Sequence, residues 1–572
     1  TVTGVGNYAT WNSISDSTIS SSGVATLSNG NLTATSSSGA WRGAESTINL
    51  PASGKIGFEL TMANEAQDGF NYPYIGIAPQ GDTSNAGSVA WVYGFQGYNG
   101  NMVGSGVSGS LSGGGLSAND VVELLIDIDD GTAEIKVNGT SEKTDSSLTF
   151  NNSHCLRIEL YSYALTVDFG QKGYVPSESD HKTLNTANLP APTVTKPDDF
   201  FNTLTWSGDS SSPENITGLD FQPDLIWGKT RNATFSHQLY DSVRGFGNDK
   251  ELQPDETTVE GGGTADQYGY ISGVLSNGFT ATKGSDSGSD AYGYWNESGK
   301  NYVAWCWKAG DSNTAVSSSG SGNGATNACT HRANTTSGLS IIKYTGFNST
   351  ISDGEHTLVT HGLGTAPVFM MGRSLDTAQD WFCLPGENDS TGSGRWGFDN
   401  HMRLSTNDDS SGSLYVQPAF PSSTAVKLGN NDLVNKNGDE FIMYAWIRVP
   451  GMCAYGTYKG NGSSTDGTYV VVNDGGAGFK PAWIMIKNIT SDGNWFVYDN
   501  QRNTHNVVNA YLIADDTPAE ATSGPVQLDF IANGFKLRSA NDGTNGGSDT
   551  YMYLAMAEHP FGGDGIAQAK AR

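Results

Sequence analysis

Three basic residues recur at a fixed distance from a proline, and an acidic residue follows two of them. Lys229, Arg373 and Lys487 each lie six residues after a proline, and Asp241 and Asp499 each lie 18 residues after theirs. A base and an aspartate that recur at fixed offsets have the pattern of a functional site. Because the middle copy lacks the aspartate, the pattern favours a scaffold role, in which the base covers the edge of a strand.

The segments that carry these bases define a repeated unit. Pro223, Pro367 and Pro481 each precede an apolar strand, and an apolar strand centred on alanine closes each copy. The unit returns three times at nearly fixed offsets, and each copy is longer than the repeats of solenoid proteins. The pattern therefore predicts tandem domains that each bury a core. The predicted boundaries are 1–175 for an N-terminal domain, 176–197 for a linker, 198–310 for repeat 1, 311–336 for a Ser/Gly-rich linker with freer motion, 337–450 for repeat 2 and 451–572 for repeat 3.

Acidic residues are frequent, but none falls in a pattern that predicts catalysis. A glycosidase needs two carboxylates held across a cleft, and the alternating Glu-x-Asp-x-Glu strand of concanavalin-like glucanases is absent. Calcium could be held near Asp127, Asp129 and Asp130, although an Asp-Gly hairpin already explains these residues. The sequence therefore predicts no enzyme, no catalytic residue, no metal site and no cofactor, with a structural Ca²⁺ as the alternative.

Aromatic residues in polar loops are the best candidates for ligand binding. Tyr98 lies in a Gly/Asn loop, and Tyr292, Tyr294 and Trp295 lie in a polar loop of repeat 1. Flat rings beside amides suit sugars, because the C–H faces of a sugar stack on the ring and the amides bond to its hydroxyls. We therefore predict that this set is exposed and binds a glycan.

Aromatic residues on predicted strands have a different interpretation. Trp91, Tyr93 and Phe95 alternate on one face of a strand and could join the glycan site, but filling of the sandwich core is favoured. Trp305 and Trp307 lie on the closing strand of repeat 1, where core or interdomain packing is expected.

Composition sets limits on fold and partners. With 74 glycines, turn-forming residues between short strands and little helical periodicity, the 572-residue chain is predicted to be all-β. A formal charge of −28 disfavours nucleic acid as a partner. Five cysteines without a Cys-x-x-Cys pair suggest free thiols made in a reducing cytosol. No stretch of about 20 apolar residues occurs, so neither membrane insertion nor a signal peptide is expected.

The N-terminal domain resembles a SPRY domain, which is a concanavalin-like β-sandwich whose loops bind peptides in eukaryotic relatives. Four segments carry this resemblance: Gly-Lys-Ile-Gly-Phe-Glu at 54–59, Tyr-Ile-Gly-Ile at 74–77, Asp-Ile-Asp-Asp-Gly at 127–131 and Val-Asp-Phe-Gly-Gln at 167–171. The resemblance implies an N-terminal SPRY-like (concanavalin-like) β-sandwich. Together with the composition and the repeated unit, the predicted fold is all-β, with this sandwich followed by three tandem, mutually related domains of β-sandwich type.

The remainder of the chain resembles a phage-encoded domain of unknown function. The run at 182–190 is similar to the exit from SPRY-like units in virion proteins of tailed bacteriophages. The resemblance continues in Asp-Phe-Phe-Asn-Thr-Leu at 199–204, Asp-Ser-Val-Arg-Gly at 241–245, Asn-Tyr-Val-Ala-Trp-Cys-Trp-Lys-Ala-Gly at 301–310 and Ala-Glu-His-Pro-Phe at 557–561.

This resemblance implies a structural protein of a phage virion that is made in the host cytoplasm. We expect an elongated tail fibre or surface appendage that binds host cell-surface glycans and contacts other virion proteins. Such appendages are usually homo-oligomers, and a trimer is favoured. A capsid decoration or head fibre protein and a polysaccharide depolymerase are the two alternatives.

Overall fold

The computed structural model describes residues 6–15, 19–20, 22–37, 39–67, 72–82, 84, 86–390, 397–412 and 415–563. Short strands joined by turns make up almost all of its regular structure, so the prediction of an all-β fold built from sandwich domains is confirmed. Its only described α-helices are single turns, α1 (Ala265–Tyr268) and α2 (Asp432–Asn435), together with 3-10 turns at Pro197–Asp199 and Gly288–Tyr292.

The N-terminal domain is a sandwich of two antiparallel sheets. One sheet has the order β1-β2-β12-β4-β8-β9-β10, with β13 added in parallel to β4, and the other has the order β3-β11-β5-β6-β7. The apolar residues that alternate along these strands face each other and form one core. The strands are β1 (Thr26–Ser28), β2 (Thr33–Thr35), β3 (Trp41–Glu45), β4 (Lys55–Met62), β5 (Tyr72–Pro79), β6 (Tyr93–Gln96), β7 (Met102–Val103), β8 (Val121–Asp127), β9 (Thr132–Val137), β10 (Thr140–Asp145), β11 (His154–Tyr161), β12 (Ala164–Asp168) and β13 (Lys182–Thr183).

The three repeats share one topology. In repeat 1 the main sheet has the order β14-β20-β16-β17, and a smaller sheet has the order β15-β19-β18. The proline-led strand β16 lies between the closing strand β20 and the strand that ends in Asp241. The strands of this repeat are β14 (Phe201–Ser207), β15 (Glu214–Thr217), β16 (Leu225–Thr230), β17 (Gln238–Asp241), β18 (Tyr270–Leu275), β19 (Gly278–Thr282) and β20 (Asn301–Trp307).

Repeats 2 and 3 repeat this order with additions at the sheet edges. Repeat 2 contains β21 (Thr314–Val316), β22 (Cys329–Asn334), β23 (Leu339–Thr345), β24 (Thr357–Thr360), β25 (Phe369–Ser374), β26 (Phe382–Pro385), β27 (Asn400–Arg403), β28 (Ser411–Gly412), β29 (Ala425–Leu428) and β30 (Glu440–Trp446). Repeat 3 contains β31 (Cys453–Lys459), β32 (Tyr469–Val471), β33 (Phe479–Asn488), β34 (Phe496–Asp499), β35 (Leu512–Ile513), β36 (Leu528–Ile531), β37 (Gly534–Leu537) and β38 (Thr550–Pro560). The equivalent sheets are β23-β30-β25-β26 and β31-β38-β33-β34, and the smaller sheets are β24-β29 and β32-β37-β36.

The repeats close on one another in a ring, and equivalent residues form its three interfaces. The residue 14 positions after each proline reaches a backbone carbonyl of a neighbouring repeat. Trp381 Nε1 of repeat 2 donates to the Gln253 carbonyl of repeat 1 at 2.8 Å, and Trp495 Nε1 of repeat 3 donates to the Arg403 carbonyl of repeat 2 at 3.0 Å. His237 Nε2 of repeat 1 lies 2.9 Å from the Ile513 carbonyl of repeat 3. We call this arrangement the repeat ring.

The repeat ring has a shared hydrophobic core. A single cluster of buried apolar residues continues through all three repeats, and it includes seven tryptophans that are almost fully buried: Trp227, Trp305, Trp307, Trp381, Trp446, Trp483 and Trp495. Burial of so many large rings between domains gives a strong hydrophobic driving force for closure. The expected elongated arrangement of domains is therefore wrong, because the apolar faces of the repeats cover one another.

Both predicted linkers are ordered parts of the structure. Strand β22 lies inside 311–336 and pairs along its length with β23, which extends the main sheet of repeat 2. In 176–197, β13 pairs with β4, and the buried Val194 donates its backbone N–H to the Pro450 carbonyl at 3.1 Å. Freer motion was expected only at 311–336, but backbone groups in both segments pair with the neighbouring domains.

The N-terminal sandwich docks on repeat 3, which is distant in sequence. Asn152 Nδ2 donates to the Gly476 carbonyl at 2.9 Å, and Lys536 Nζ donates to the Ile14 carbonyl at 2.9 Å. Phe561 packs against the core of the sandwich. The sandwich is therefore held by one end against the repeat ring.

Candidate functional site

Aromatic side chains gather on the outer face of the five-stranded sheet of the N-terminal sandwich. In β5, Ile75 and Ile77 face the core, so the alternating Tyr72 and Tyr74 face outward. The same alternation places Tyr161 of β11 and Trp41 of β3 on this outer face. We call the resulting surface the aromatic patch, and its members are Trp41, Tyr72, Tyr74, Trp91, Tyr98 and Tyr161.

The rings of the aromatic patch are in direct contact. The ring centroids of Trp41 and Tyr72 are 4.9 Å apart, those of Tyr72 and Tyr98 are 4.9 Å apart, and those of Trp41 and Tyr161 are 5.4 Å apart. These four rings are only partly buried, so one side of the group faces solvent. A continuous aromatic surface of this kind can stack against the C–H faces of a ligand ring.

A cavity of about 400 Å³ adjoins the patch beside Trp91 and Tyr74. The Trp91 and Tyr74 rings are stacked with their centroids 6.2 Å apart, and both are largely buried. Gln96 lines the same cavity and donates from Nε2 to Tyr74 Oη at 3.1 Å. The site thus combines apolar ring faces with an amide and a hydroxyl that can bond to a polar ligand.

A buried ion network lies beside the patch on the same face of the sheet. Arg157, on the same face of β11 as Tyr161, lies 2.6 Å from Glu159 and 3.3 Å from Glu45, and all three side chains are inaccessible to solvent. Burial raises the pKa of Glu159 above its usual value, whereas the two carboxylates help keep the guanidinium charged. Arg157 also donates to the carbonyls of Ile19 and Asp82, so the network fixes the loop that leads to Trp91.

The patch and the docking contact lie at opposite ends of the same strands. Tyr72 pairs with Tyr161 at one end of β5 and β11, and Pro79 pairs with His154 at the other end. Asn152, which contacts repeat 3, lies beside the second end. Seven residue steps separate the two pairs, or about 23 Å at the usual rise of a strand. The repeat ring therefore holds the sandwich by the end remote from the patch.

Two of the four residues that were predicted to bind a glycan are buried. Tyr98 belongs to the aromatic patch, and Tyr292 is partly buried in the 3-10 turn of repeat 1. Tyr294 and Trp295 are 4% and 1% exposed, respectively, so the expectation that they lie on the surface is wrong. Whether Tyr98 or Tyr292 binds a glycan stays a prediction.

Trp295 is buried because the polar loop folds back over the sheet of repeat 1. Its ring lies so close to Gly228 that a Cβ there would meet the ring at 2.3 Å. Trp206 donates from Nε1 to the Trp295 carbonyl at 2.9 Å, and the two indoles are parallel. A glycine within a strand was the sequence signal for this close approach.

The strand aromatics divide between two faces. Tyr93 and Phe95 fill the sandwich core as favoured, whereas Trp91 precedes β6 and packs on the outer face with Tyr74. The predicted single face for all three is therefore wrong. Trp41, Tyr72 and Tyr161 were not among the predicted site residues, although their alternation with core residues along the strands is a sequence signal for an outward face. Trp305 and Trp307 pack between repeats, as expected.

Two of the three recurring bases cross the interfaces of the repeat ring. Arg373 donates to the Glu256 and Thr257 carbonyls of repeat 1, and Lys487 donates to the Asn407 carbonyl of repeat 2 at 3.0 Å. Burial lowers the pKa of Lys487 to about 8. These bases bridge repeats, which agrees with a scaffold role, but the predicted covering of a strand edge is wrong.

Lys229 of repeat 1 is the third base, and it is equally buried. Its Nζ donates to the Thr230 carbonyl at 3.0 Å, within its own repeat. Burial lowers its pKa to about 8. In the other two repeats the base also lies over the indole that donates to the neighbouring repeat. Arg373 lies 5.5 Å from the ring centroid of Trp381, and Lys487 lies 5.9 Å from that of Trp495.

The acidic turn considered for calcium is satisfied by the protein itself. Asp127 Oδ2 lies 2.9 Å from Lys55 Nζ, and Asp127 Oδ1 accepts the backbone N–H groups of Asp129 and Asp130 at 3.1 Å each. In the described part of the chain, no group of His, Cys, Asp and Glu residues could hold a metal ion.

The five cysteines are buried and unpaired. No helix among the described residues could cross a bilayer.

A buried carboxyl group in repeat 1 makes stability depend on pH. Glu251 accepts the Ala265 backbone N–H at 2.7 Å, and burial raises its pKa to about 7. Because the pKa is higher in the folded chain, its contribution to folding is greatest below about pH 4.5 and is lost as the pH rises through 7.

Glu251→Gln keeps the acceptor and removes this titration. Relative to the variant, the wild type should lose on the order of 2 to 3 kcal/mol in free energy of unfolding between pH 4 and pH 8. Urea unfolding at several pH values measures the difference. A constant difference across this range would show that Glu251 does not change its pKa on folding.

A family model matches the part of the chain that contains the repeats. Residues 196–560, which span the three repeats, match the model of a family described as a domain of unknown function, DUF7483. No curated protein matches the sequence.

Solved structures similar to the chain include SPRY domains. The SPRY domain of human HERC1 is 12% identical, with 25% of this chain and 91% of that chain covered and a TM-score of 0.20. A further human SPRY domain is 12% identical, with 25% and 93% covered and a TM-score of 0.20. Stonustoxin is 16% identical, with 28% and 27% covered and a TM-score of 0.21. Since the family model covers more than half of its residues, the chain belongs to the DUF7483 family, with the repeat ring as the part that carries the match.

Proposed function

We propose that this chain is a structural, non-catalytic protein of a tailed-phage virion that binds host surface glycans. The aromatic patch is the single observation that carries the binding part of the proposal. It presents four partly exposed rings in contact, next to a cavity that offers an amide and a hydroxyl. Sugars bind such surfaces through ring stacking and hydrogen bonds to their hydroxyls.

The repeat ring supports a mechanical role in the same proposal. Its buried tryptophans and bridging bases hold three domains together, and the sandwich is fixed to repeat 3 by the end remote from the patch. A binding face held away from a rigid base suits a surface appendage. The sequence resemblance to phage virion proteins supports the location, and a tail fibre or similar appendage is the location that we favour.

Binding of the purified chain to host cells tests the proposal. We expect mild periodate, which cleaves the vicinal diols of sugars, to reduce binding at least tenfold, and we expect protease treatment of the cells to leave binding unchanged. The opposite pattern would contradict glycan recognition. Release of oligosaccharides from the treated surface would instead support a depolymerase.

Antibody labelling of intact particles tests the location. Gold particles on tail appendages are the expected result. Labelling confined to the head would contradict an appendage and favour a capsid decoration or head fibre protein. The number of chains per labelled appendage, counted by quantitative mass spectrometry, would also test the predicted homotrimer.

A further inference from the structure

Among the described residues that line the cavity beside the aromatic patch, none has a charged side chain. Its walls are formed by Tyr74, Trp91, Val103, small residues of the 86–90 loop and Gly104, with Gln96 and Ser105 as the polar side chains. The available hydrogen-bonding groups are thus an amide and hydroxyls, which are neutral donors and acceptors. Neutral groups of this kind match sugar hydroxyls, but they provide no positive charge to pair with a carboxylate.

The charged groups near the cavity are already engaged. The carboxylate of Asp82 accepts the backbone N–H groups of Ala90 and Ser84 at 2.8 Å each, behind the cavity wall. The Arg157 guanidinium is fully buried between its two carboxylate partners. Arg42 follows Trp41 on the opposite face of β3, and it donates to the Val24 carbonyl at 3.2 Å. Of the residues described near the site, none offers a free cation to an acidic sugar.

The net charge of the chain also disfavours acidic ligands. A formal charge of −28 gives a negative potential around the chain, which disfavours the approach of a polyanion at low ionic strength. The cavity has a volume of about 400 Å³, which lies at the lower end of the range for small-molecule sites. A cavity of this volume can hold a mono- or disaccharide.

We infer that the site recognises uncharged saccharides and discriminates against acidic ones. One sugar unit occupies the cavity between Trp91 and Gln96, and the adjoining unit stacks on the rings of Trp41 and Tyr72. This inference rests on the proposed function, since it names the class of glycan that the aromatic patch binds. It adds that recognition depends on stacking and neutral hydrogen bonds, without ion pairing.

An array of bacterial surface saccharides, divided into neutral and acidic members, tests the inference with the full-length chain. We expect binding to neutral members that changes less than twofold between 20 and 500 mM salt, because no ion pair is screened. An acidic polysaccharide and its carboxyl-reduced form provide a matched pair with the same backbone, and reduction should increase binding at least tenfold.

Gln96→Leu tests the cavity separately. It keeps the size of the side chain but removes its hydrogen bonds, and we expect binding to neutral members to weaken about tenfold. Tyr415→Ala is the control, since this exposed tyrosine lies on repeat 2. Unchanged binding by a folded Gln96→Leu variant would contradict the cavity assignment.

The outcomes separate this inference from the proposed function. Preferential binding of acidic members, or a loss of binding after carboxyl reduction, would overturn the neutral-sugar inference while leaving glycan binding intact. Binding to no member of the array, by a chain that still attaches to host cells after periodate treatment, would overturn both.

Discussion

Trp305→Ala should lower the free energy of unfolding of the repeat ring by about 3 to 5 kcal/mol, the usual cost of deleting a buried aromatic ring. The indole is inaccessible to solvent and meets the rings of Trp227 and Trp483 edge-on, with centroid distances of 5.8 and 6.3 Å. Its Nε1 donates to Asp499 Oδ2 of repeat 3 at 2.9 Å. Alanine would leave a cavity between repeats 1 and 3 and remove this hydrogen bond.

Urea unfolding followed by near-UV circular dichroism measures this loss. Trp305→Phe separates the two effects, because it retains a ring but lacks the hydrogen-bond donor, and it should fall between the wild type and the alanine variant. Tyr415→Ala, on the surface of repeat 2, should unfold with the wild-type midpoint. A midpoint for Trp305→Ala equal to that of the wild type would contradict a cooperative interface between repeats 1 and 3.

Arg502→Met should destabilise the ring by a similar amount, about 3 to 5 kcal/mol. Arg502 is fully buried, 2.5 Å from Asp499 and 3.0 Å from Glu520, and its guanidinium lies over the Trp305 ring. Methionine fills most of the volume but leaves the buried Asp499 carboxylate without its cation. The cost arises from this uncompensated charge more than from lost packing.

A second substitution and an exposed pair provide the controls. Asp499→Asn combined with Arg502→Met removes the unpaired charge, so the double variant should recover part of the loss. Lys196→Met breaks a pair of similar length with Asp199, but both side chains are about half exposed, and the loss should stay below about 1 kcal/mol. Equal losses for the buried and exposed pairs would contradict the assigned role of burial.

The middle repeat shows how the ring tolerates the missing aspartate. Pro385 of repeat 2 occupies the position of Asp241 and Asp499. The closing strand of repeat 3, which has Leu554 and Met556 beside its central alanine, contributes apolar side chains to the shared core. The polar pairing of the other two interfaces uses Tyr444 and Trp305 of closing strands, which donate to Asp241 and Asp499. At the interface of repeats 2 and 3, the aspartate is therefore missing from repeat 2, and the hydrogen-bond donor beside the central alanine is missing from the closing strand of repeat 3.

Much of the fold was predictable because repetition and alternation are local patterns. The spacing of Pro223, Pro367 and Pro481 identified three copies, and alternation identified the sandwich strands. Closure of the ring was not predictable, because the contact of Trp495 with the Arg403 carbonyl joins residues far apart in sequence. Composition also misled for 311–336, where a Ser/Gly-rich segment forms β21 and β22, and β22 pairs with β23 of the main sheet of repeat 2.

The candidate site was predictable only in part for a related reason. Tyr98 is in a loop that looks polar in sequence, and its ring does join the patch. Trp295 lies in an equally polar loop, but it is buried because Gly228 leaves space for its ring on the sheet. Trp41 and Tyr161 become neighbours only through the pairing of β3 with β11, which the sequence does not specify.

Attachment of the double variant Trp41→Ala/Tyr72→Ala to host cells tests directly whether the aromatic patch binds the host glycan. Both rings are partly exposed, and each stacking contact contributes about 0.5 to 1.5 kcal/mol, so loss of both should lower cell binding at least about fivefold. The thermal unfolding midpoint should show that the variant remains folded, and Tyr415→Ala should bind like the wild type. Full attachment by a folded double variant would contradict glycan recognition by the aromatic patch.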